Sequence, residues 1–264
     1  MGRSSIEYKN FECFGLDGDE LELVENAEIL VHAGAFTPKS HSNRNDILGC
    51  NGNITFTQNL LNLEWRNLKK IIYLSTIDVY GNYQGVISEE SPTAPTSLYG
   101  LSKLYCEKLV SEYSLTESID CQILRVGHVY GPGEEKYQKV IPSAISSIIK
   151  HNYVEMWGDG SQLRSFIYVQ DVADAIIQAV RSSESAEIIN IVSANAISIK
   201  YLLERLIQIG GNNTQIVARE ASSPSGNSVF DNSKLRHYLL SEELDLDDGL
   251  SVEFNYMKQL YGKN

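Results

Sequence analysis

Short apolar runs alternate with amphipathic, helix-like segments along most of this chain. Neighbouring parallel strands have to be joined by a crossover, which is usually a helix, so this alternation predicts a parallel α/β sheet. In the first half, the expected strands are 6–14, 28–32, 70–75 and 121–126, and the expected helices are 19–27, 43–63 and 97–113. Such helices can cover both faces of the sheet, so we expect a doubly wound arrangement.

The organisation changes in the second half of the chain. A helix is expected at 141–150, and Asp171 is expected to cap the N-terminus of a helix that runs to Arg181. We therefore expect two domains, a sheet domain over 1–135 and a smaller α/β lobe over 136–264, with some exchange of segments between them.

Composition excludes several classes of function. A net charge of -12 and a pI near 4.9 argue against a binder of nucleic acid or of anionic membranes, because either needs a basic face. No apolar run reaches eighteen residues, and the first fifteen residues include four charged ones instead of the apolar stretch of a signal peptide. We therefore expect a cytoplasmic protein. No metal site is expected, because the cysteines are scattered without ligand spacing, at Cys13, Cys50, Cys106 and Cys121.

Tyr99 and Lys103 are four residues apart in the predicted helix 97–113, so their side chains share one face. A tyrosine is a poor base at neutral pH, but a nearby ammonium favours the phenolate. Thr76 follows the predicted strand 70–75, at the end of the sheet where ligands of α/β proteins gather. The three residues are candidates for proton transfer, although the same pentapeptide also fits a surface helix with an incidental Tyr and Lys.

Nine short motifs follow one another in a fixed order. They are VHAGA at 31–35, ST at 75–76, VYG at 79–81, YGLSK at 99–103, LR at 124–125, VYGPG at 129–133, GDG at 158–160, RSFIYV at 164–169 and DVA at 171–173. From about residue 28 to the C-terminus, their order and spacing resemble the extended short-chain dehydrogenase/reductases. The similarity is to the NAD-dependent epimerase/dehydratase branch, which acts on nucleotide sugars.

The resemblance implies a Rossmann-like doubly wound sheet whose domain, 1–135, binds NAD or NADP, and a substrate-binding lobe over 136–264. It implies a nucleotide-diphosphate sugar as the substrate. It also implies a homodimer formed through the helices near 43–63 and 97–113.

The resemblance also assigns roles to single residues. It makes Tyr99 the acid/base, Lys103 the group that tunes it and binds the nicotinamide ribose, and Thr76 the partner of the reacting sugar oxygen. The implied cofactor-binding residues are His32, Ala33, Gly34, Asn51, Ser75, Tyr99 and Lys103. The implied substrate-binding residues are Asp78, His128 and Arg164. Two alternatives stay open, since His128 also fits a satisfied loop histidine and Arg164 a surface salt bridge.

Ile77 stands where the sugar 4,6-dehydratases of this family carry an acidic residue, which argues against dehydration. We therefore expect an NAD-dependent nucleotide-sugar epimerase, such as a UDP-sugar 4-epimerase. A nucleotide-sugar 4-ketoreductase that uses the same three residues is the first alternative. A non-catalytic sugar-nucleotide-binding paralogue is the second. Members of the family have an arginine-containing loop that binds phosphate. That loop is only weakly recognisable in this chain, where residues 222–225 are Ser-Ser-Pro-Ser.

The glycine-rich loop that normally precedes these motifs is not recognisable. Gly15 and Gly18 have the first spacing of Gly-x-x-Gly-x-x-Gly, but Leu21 occupies the third position. Such a loop leads into a helix, and the N-terminus of that helix binds the pyrophosphate of the dinucleotide. The sequence therefore predicts an N-terminally truncated sheet with weakened NAD(P) binding, as in a fragment, a mis-assigned start or a decayed paralogue.

Overall fold

The computed structural model describes residues 26–183, 186–211, 213–220 and 226–261. Its strands are β1 Ile29–His32, β2 Lys70–Thr76, β3 Val86–Ile87, β4 Asp120–Val126, β5 His128–Tyr130, β6 Tyr153–Trp157, β7 Leu163–Tyr168, β8 Ile188–Ile191, β9 Ala196–Ser198, β10 Gln215–Arg219 and β11 Val229–Phe230. Its α-helices are α1 Ile47–Leu61, α2 Leu98–Glu117, α3 Val140–Lys150, α4 Val169–Arg181, α5 Ile199–Gly210, α6 Ser233–Tyr238 and α7 Leu246–Tyr261. The predicted strand 6–14, most of the predicted helix 19–27 and the segment 222–225 lie outside the described residues.

The main sheet has the order β1-β2-β4-β8, and every neighbouring pair is parallel. Val31 lies opposite Ile72, and Leu124 lies opposite Ile189. The predicted parallel α/β sheet is therefore confirmed. β2 is buried along most of its length, which explains its nearly continuous apolar sequence.

Alternate residues of β2 enter two different cores, because side chains of a strand alternate between its faces. Ile71 and Tyr73 pack with Leu61 of α1 and Val110 of α2. On the opposite face, Ile72 belongs to a core that contains Leu124, Ala175, Ala179 and Ile189, two of them from α4. Helices thus cover both faces, as the doubly wound prediction requires.

Polar caps set the start of the two helices nearest the end of β2. The Asp46 carboxylate accepts from the backbone N–H of Gly49, which begins α1 after a 3₁₀ helix at His41–Asn45. The Ser97 hydroxyl accepts from the N–H of Gly100 at 3.1 Å and begins α2.

The predicted N-cap at Asp171 is wrong. The chain passes from β7 directly into α4, so Tyr168 takes the cap position and Asp171 lies inside the first turn. The Asp171 carboxylate is buried and accepts from the backbone N–H of Leu244, 73 residues away. The cap was predicted because a polar residue stands near the start of a helix. The true partner is distant in the sequence, so the residues around Asp171 do not reveal it.

Seven further strands of the described chain form three small sheets. They have the orders β5-β7-β9, β6-β10 and β3-β11. A third core of α3, α5 and α7 residues, including Ile145, Leu206 and Phe254, supports this region. Across the described residues, no helix combines the length and apolar character that a membrane crossing requires.

Candidate active site

A cavity of about 480 Å³ opens beyond the carboxyl end of β2. Its walls come from the segment after β1, the end of β2 with the following turn, the first turns of α2, the loop between β4 and β5, and the residues before α3. This is the edge of a parallel sheet at which α/β proteins bind ligands. Three of the predicted residues, Thr76, Tyr99 and Lys103, meet in its wall.

Tyr99 and Lys103 are both largely removed from solvent, although they belong to an exposed-looking Tyr-Gly-Leu-Ser-Lys sequence. Their exposed fractions are 9% and 3%. Tyr99 is the second residue of α2 and Lys103 lies one turn later, so the spacing places both side chains on the face toward β2. The Ser97 cap fixes the residue at which this helix begins, and it thereby places Tyr99 in the first turn.

Burial and the Asp78 carboxylate raise the pKa of Tyr99 to about 12, because both disfavour the phenolate. The hydroxyl groups of Thr76 and Thr37 and the guanidinium of Arg44 counteract this rise. Tyr99 is therefore a neutral phenol near pH 7. It is placed to donate a proton, and it needs additional positive charge to act as a base.

The Lys103 ammonium donates to the backbone carbonyl oxygen of Leu74 at 2.5 Å and lies 4.3 Å from the centroid of the Tyr73 ring. Burial lowers its pKa to about 8, while the nearby Glu107 carboxylate favours the charged form. Lys103 thus remains mainly an ammonium at neutral pH. Two of its three donor positions are left for other groups in the cavity.

Thr76 is the last residue of β2 and caps the short 3₁₀ helix Ile77–Tyr80. Its hydroxyl oxygen accepts from the backbone N–H of Asp78 at 3.3 Å. The same hydroxyl is within hydrogen-bonding reach of the Tyr99 hydroxyl, so its proton can stabilise the phenolate. Asp78 also lines the cavity, where its carboxylate forms an ion pair with Arg44 at 3.0 Å.

The predicted cofactor residues divide into two groups. Ala33 and Ser75 line the cavity, as Tyr99 and Lys103 do, whereas His32 and Gly34 do not. The Nε2 atom of His32 is hydrogen-bonded to the Thr57 hydroxyl at 2.8 Å, and burial lowers the pKa of His32 to about 4, so its ring is neutral. A Cβ atom on Gly34 would lie 2.6 Å from the Phe56 ring, so a larger residue there would require that ring to move.

Asn51 does not reach this cavity. Its side chain is exposed on α1 and borders a separate groove on the other side of the helix. Asn53 lies on the inner face instead, where its amide donates to the Ser102 hydroxyl at 3.2 Å and accepts from the backbone N–H of Phe36. The spacing of the buried positions 53, 57, 60 and 61 was available in the sequence and identifies this face.

The predicted substrate residues His128 and Arg164 occupy different positions relative to the cavity. His128 lines it, and burial lowers its pKa to about 4, so it is a neutral hydrogen-bonding group. Arg164 does not line the cavity, although its charge acts on His128. The Arg164 guanidinium donates to the backbone carbonyl oxygen of Gly226 at 2.6 Å.

Sequence reasoning missed a group of basic residues in the same wall. They are Lys39, His41, Arg44 and Lys139. Among the described lining residues, Asp78 is the single carboxylate, so the cavity is locally cationic in an acidic chain. No periodicity marks these residues, since they lie in a short 3₁₀ helix and in loops that tertiary contacts bring together.

Comparison with known proteins agrees with this geometry. The model of the family described as "NAD dependent epimerase/dehydratase family" matches residues 16–192, which is more than half of the chain. The chain belongs to this family. It is 29% identical over 259 residues to a putative UDP-glucose 4-epimerase of Methanocaldococcus jannaschii, covering 96% of this chain and 84% of that protein.

Two solved structures of similar proteins contain dinucleotides. One is a UDP-glucuronic acid 4-epimerase from Bacillus cereus in complex with UDP-glucuronic acid and NAD, with 29% identity, a TM-score of 0.81, and coverage of 93% of this chain and 80% of that one. The other is RMD from Pseudomonas aeruginosa complexed with NADPH, with 25% identity, a TM-score of 0.79, and coverage of 88% and 82%. This epimerase/dehydratase family member therefore shares its fold with dinucleotide-binding proteins.

The described residues fit one end of such a dinucleotide. Ala33 and Ala35 keep the cavity wall open beside β1, and Lys103 offers free donors for ribose hydroxyls. In the described ranges, no Gly-x-x-Gly-x-x-Gly turn is available for the pyrophosphate. The donors of the described residues suit the hydroxyl groups of a ribose.

Proposed function

We propose that this chain is an NAD(P)-dependent nucleotide-sugar epimerase of the UDP-sugar 4-epimerase type. The observation that carries the proposal is the meeting of Tyr99, Lys103 and Thr76 in one cavity at the carboxyl end of β2. Family membership and similarity to two UDP-sugar 4-epimerases support the same reaction class.

The same three residues of the cavity wall carry out the proton transfer. Tyr99 exchanges a proton with a sugar hydroxyl, and Thr76 donates to the same oxygen as charge develops on it. Lys103 holds ribose hydroxyls and keeps a positive charge near the phenol. NAD(P), when bound with its nicotinamide in the cavity, supplies reversible hydride transfer.

Epimerisation is favoured over dehydration by the side chain that follows Thr76. Ile77 is apolar and lines the cavity, so this position has no acid to protonate a leaving hydroxyl. Among the described residues of the wall, Asp78 is the one carboxylate, and Arg44 pairs with it. We propose that Asp78 and His128 contact the sugar and that the nearby Arg164 acts toward the diphosphate.

We further propose that two copies associate through the outer faces of α1 and α2. These helices pack on one another and leave large apolar side chains exposed at Ile47, Leu48, Leu98, Leu101 and Tyr105. Between them lies an apolar groove of about 490 Å³. A self-complementary apolar patch of this kind is typical of a two-fold dimer interface.

The proposal is tested by incubating the purified chain with NAD and UDP-glucose or UDP-glucuronic acid. We expect conversion to the 4-epimer, followed by NMR of the sugar, with no net accumulation of reduced cofactor. Stoichiometric consumption of NADPH with a 4-keto sugar nucleotide would instead show a ketoreductase. Binding of the sugar nucleotide without turnover of either substrate would show a non-catalytic protein.

A further inference from the structure

The segment between β1 and α1 contacts the residue that precedes Tyr99. Its 3₁₀ helix ends at Asn45, whose side-chain oxygen accepts from the backbone N–H of Leu98 at 2.9 Å. Leu98 immediately precedes Tyr99. This hydrogen bond holds the segment against the first turn of α2.

The turn after β2 contacts the residue on the other side of Tyr99. A Cβ atom on Gly100 would lie 2.7 Å from the Asp78 carbonyl oxygen, so this turn and α2 are in close backbone contact. Arg44 and Asp78 therefore belong to two segments that are fixed on opposite sides of the same tyrosine. Their ion pair, 3.0 Å between the guanidinium and the carboxylate, lies in the same cavity wall as Tyr99.

Each member of this ion pair is only partly exposed, with 28% of its side chain accessible. The Nε atom of Arg44 is buried and has no hydrogen-bond partner among the described residues. Charges at this depth are screened less than surface charges, so they act on a neighbouring phenol over several ångströms.

We propose that Arg44 and Asp78 are a pair of positioning residues that control the ionisation of Tyr99 with opposite sign. This inference rests on the proposed function for its kinetic consequence, but not for the electrostatics. The Asp78 carboxylate raises the pKa of Tyr99 and the Arg44 guanidinium lowers it. A substrate group that drew Arg44 away from Asp78 would therefore change the proton affinity of the phenol.

Other titratable groups face Tyr99 and have to be held constant in the test. They are Lys103 on α2, Tyr73 on β2, Lys39 and His41 before α1, His128 on β5, and Lys139 before α3. Glu107 lies behind Lys103. Arg44 and Asp78 are paired with each other and both line the cavity, so removing either one leaves the other charge uncompensated there.

The test compares Arg44→Met, Asp78→Asn and the double variant by the pH dependence of kcat/KM. We expect the limb that reports Tyr99 to move up by about half a pH unit in Arg44→Met and down by a similar amount in Asp78→Asn. In the double variant, the pH at which this limb lies should be close to the wild-type value. Arg44→Lys should restore most of the shift, and Arg236→Met, an exposed α6 residue outside the cavity, should cause none.

A second measurement separates this inference from the proposed reaction. Tyrosine labelled with ¹³C at Cζ is titrated by NMR in the same variants, the Tyr99 signal being identified from Tyr99→Phe. Opposite shifts of the Tyr99 titration in a chain that shows no turnover would support the electrostatic control and contradict the epimerase. Shifts of equal sign, or no shift in either single variant, would overturn the inference and leave the pair a purely structural clamp.

Discussion

The two faces of α2 have reversed polarity. On the inner face, Lys103 and Glu107 carry charges and are 3% and 2% exposed. On the outer face, Leu101 and Tyr105 are 49% and 50% exposed. Charged residues are rarely buried without partners, and large apolar patches are rarely left in water. This distribution fits the proposed active site on one face of the helix and the proposed dimer contact on the other.

The inner charges are compatible with burial because they are paired. Both Glu107 carboxylate oxygens accept from Arg125, at 3.0 and 2.8 Å, and Glu107 also accepts from the Ser75 hydroxyl at 2.5 Å. Arg125 donates further to the Tyr80 hydroxyl, which donates to Asn190. This network joins α2 to β2, β4 and β8 directly beneath the cavity.

The largest expected difference between the two faces is in turnover. Tyr99→Phe and Tyr105→Phe make the same change on the same helix, once inside the cavity and once on the exposed face. We expect Tyr99→Phe to lower kcat by about a thousandfold, roughly 4 kcal/mol, because the proton-transfer group is lost. Tyr105→Phe should retain wild-type turnover. Equal activities in the two variants, measured by NMR of the sugar product, would remove Tyr99 from the mechanism.

The next largest difference is in stability. Glu107→Gln removes the buried partner of Arg125, and Glu112→Gln makes the same change at an exposed position of α2. We expect the first to lower the free energy of unfolding by about 3 kcal/mol, since it leaves a buried guanidinium poorly compensated. The second should change it by less than about 0.5 kcal/mol. Urea denaturation followed by circular dichroism gives both values, and similar midpoints would show that the ion pair contributes nothing.

The smallest difference concerns association. Leu101→Glu places a charge in the apolar groove between α1 and α2, and Leu115→Glu places one at an exposed site outside it. We expect Leu101→Glu to weaken self-association at least tenfold, about 1.4 kcal/mol, and Leu115→Glu to leave it unchanged. Sedimentation equilibrium measures the dissociation constants. A wild-type chain that stays monomeric at high concentration would contradict the dimer.

The asparagine of α1 shows how sequence and structure divide the information. The family resemblance points to Asn51 as a cofactor residue, but two residues along a helix turn a side chain by more than half a circle. The helical spacing of Thr57, Leu60 and Leu61 identifies Asn53 as the inner one. Its actual partners, Phe36 and Ser102, are 17 and 49 residues away, and no local pattern reveals them.

By itself the sequence determined the parallel α/β class, the family, and the joint placement of Thr76, Tyr99 and Lys103. These follow from strand and helix periodicity and from motifs whose spacing is local. Only the tertiary structure decided that Arg44 and Asp78 form an ion pair in the same wall as Tyr99, and that Glu107 forms an ion pair with Arg125. Such pairs join segments far apart in the chain, so their geometry depends on how the helices and the sheet pack.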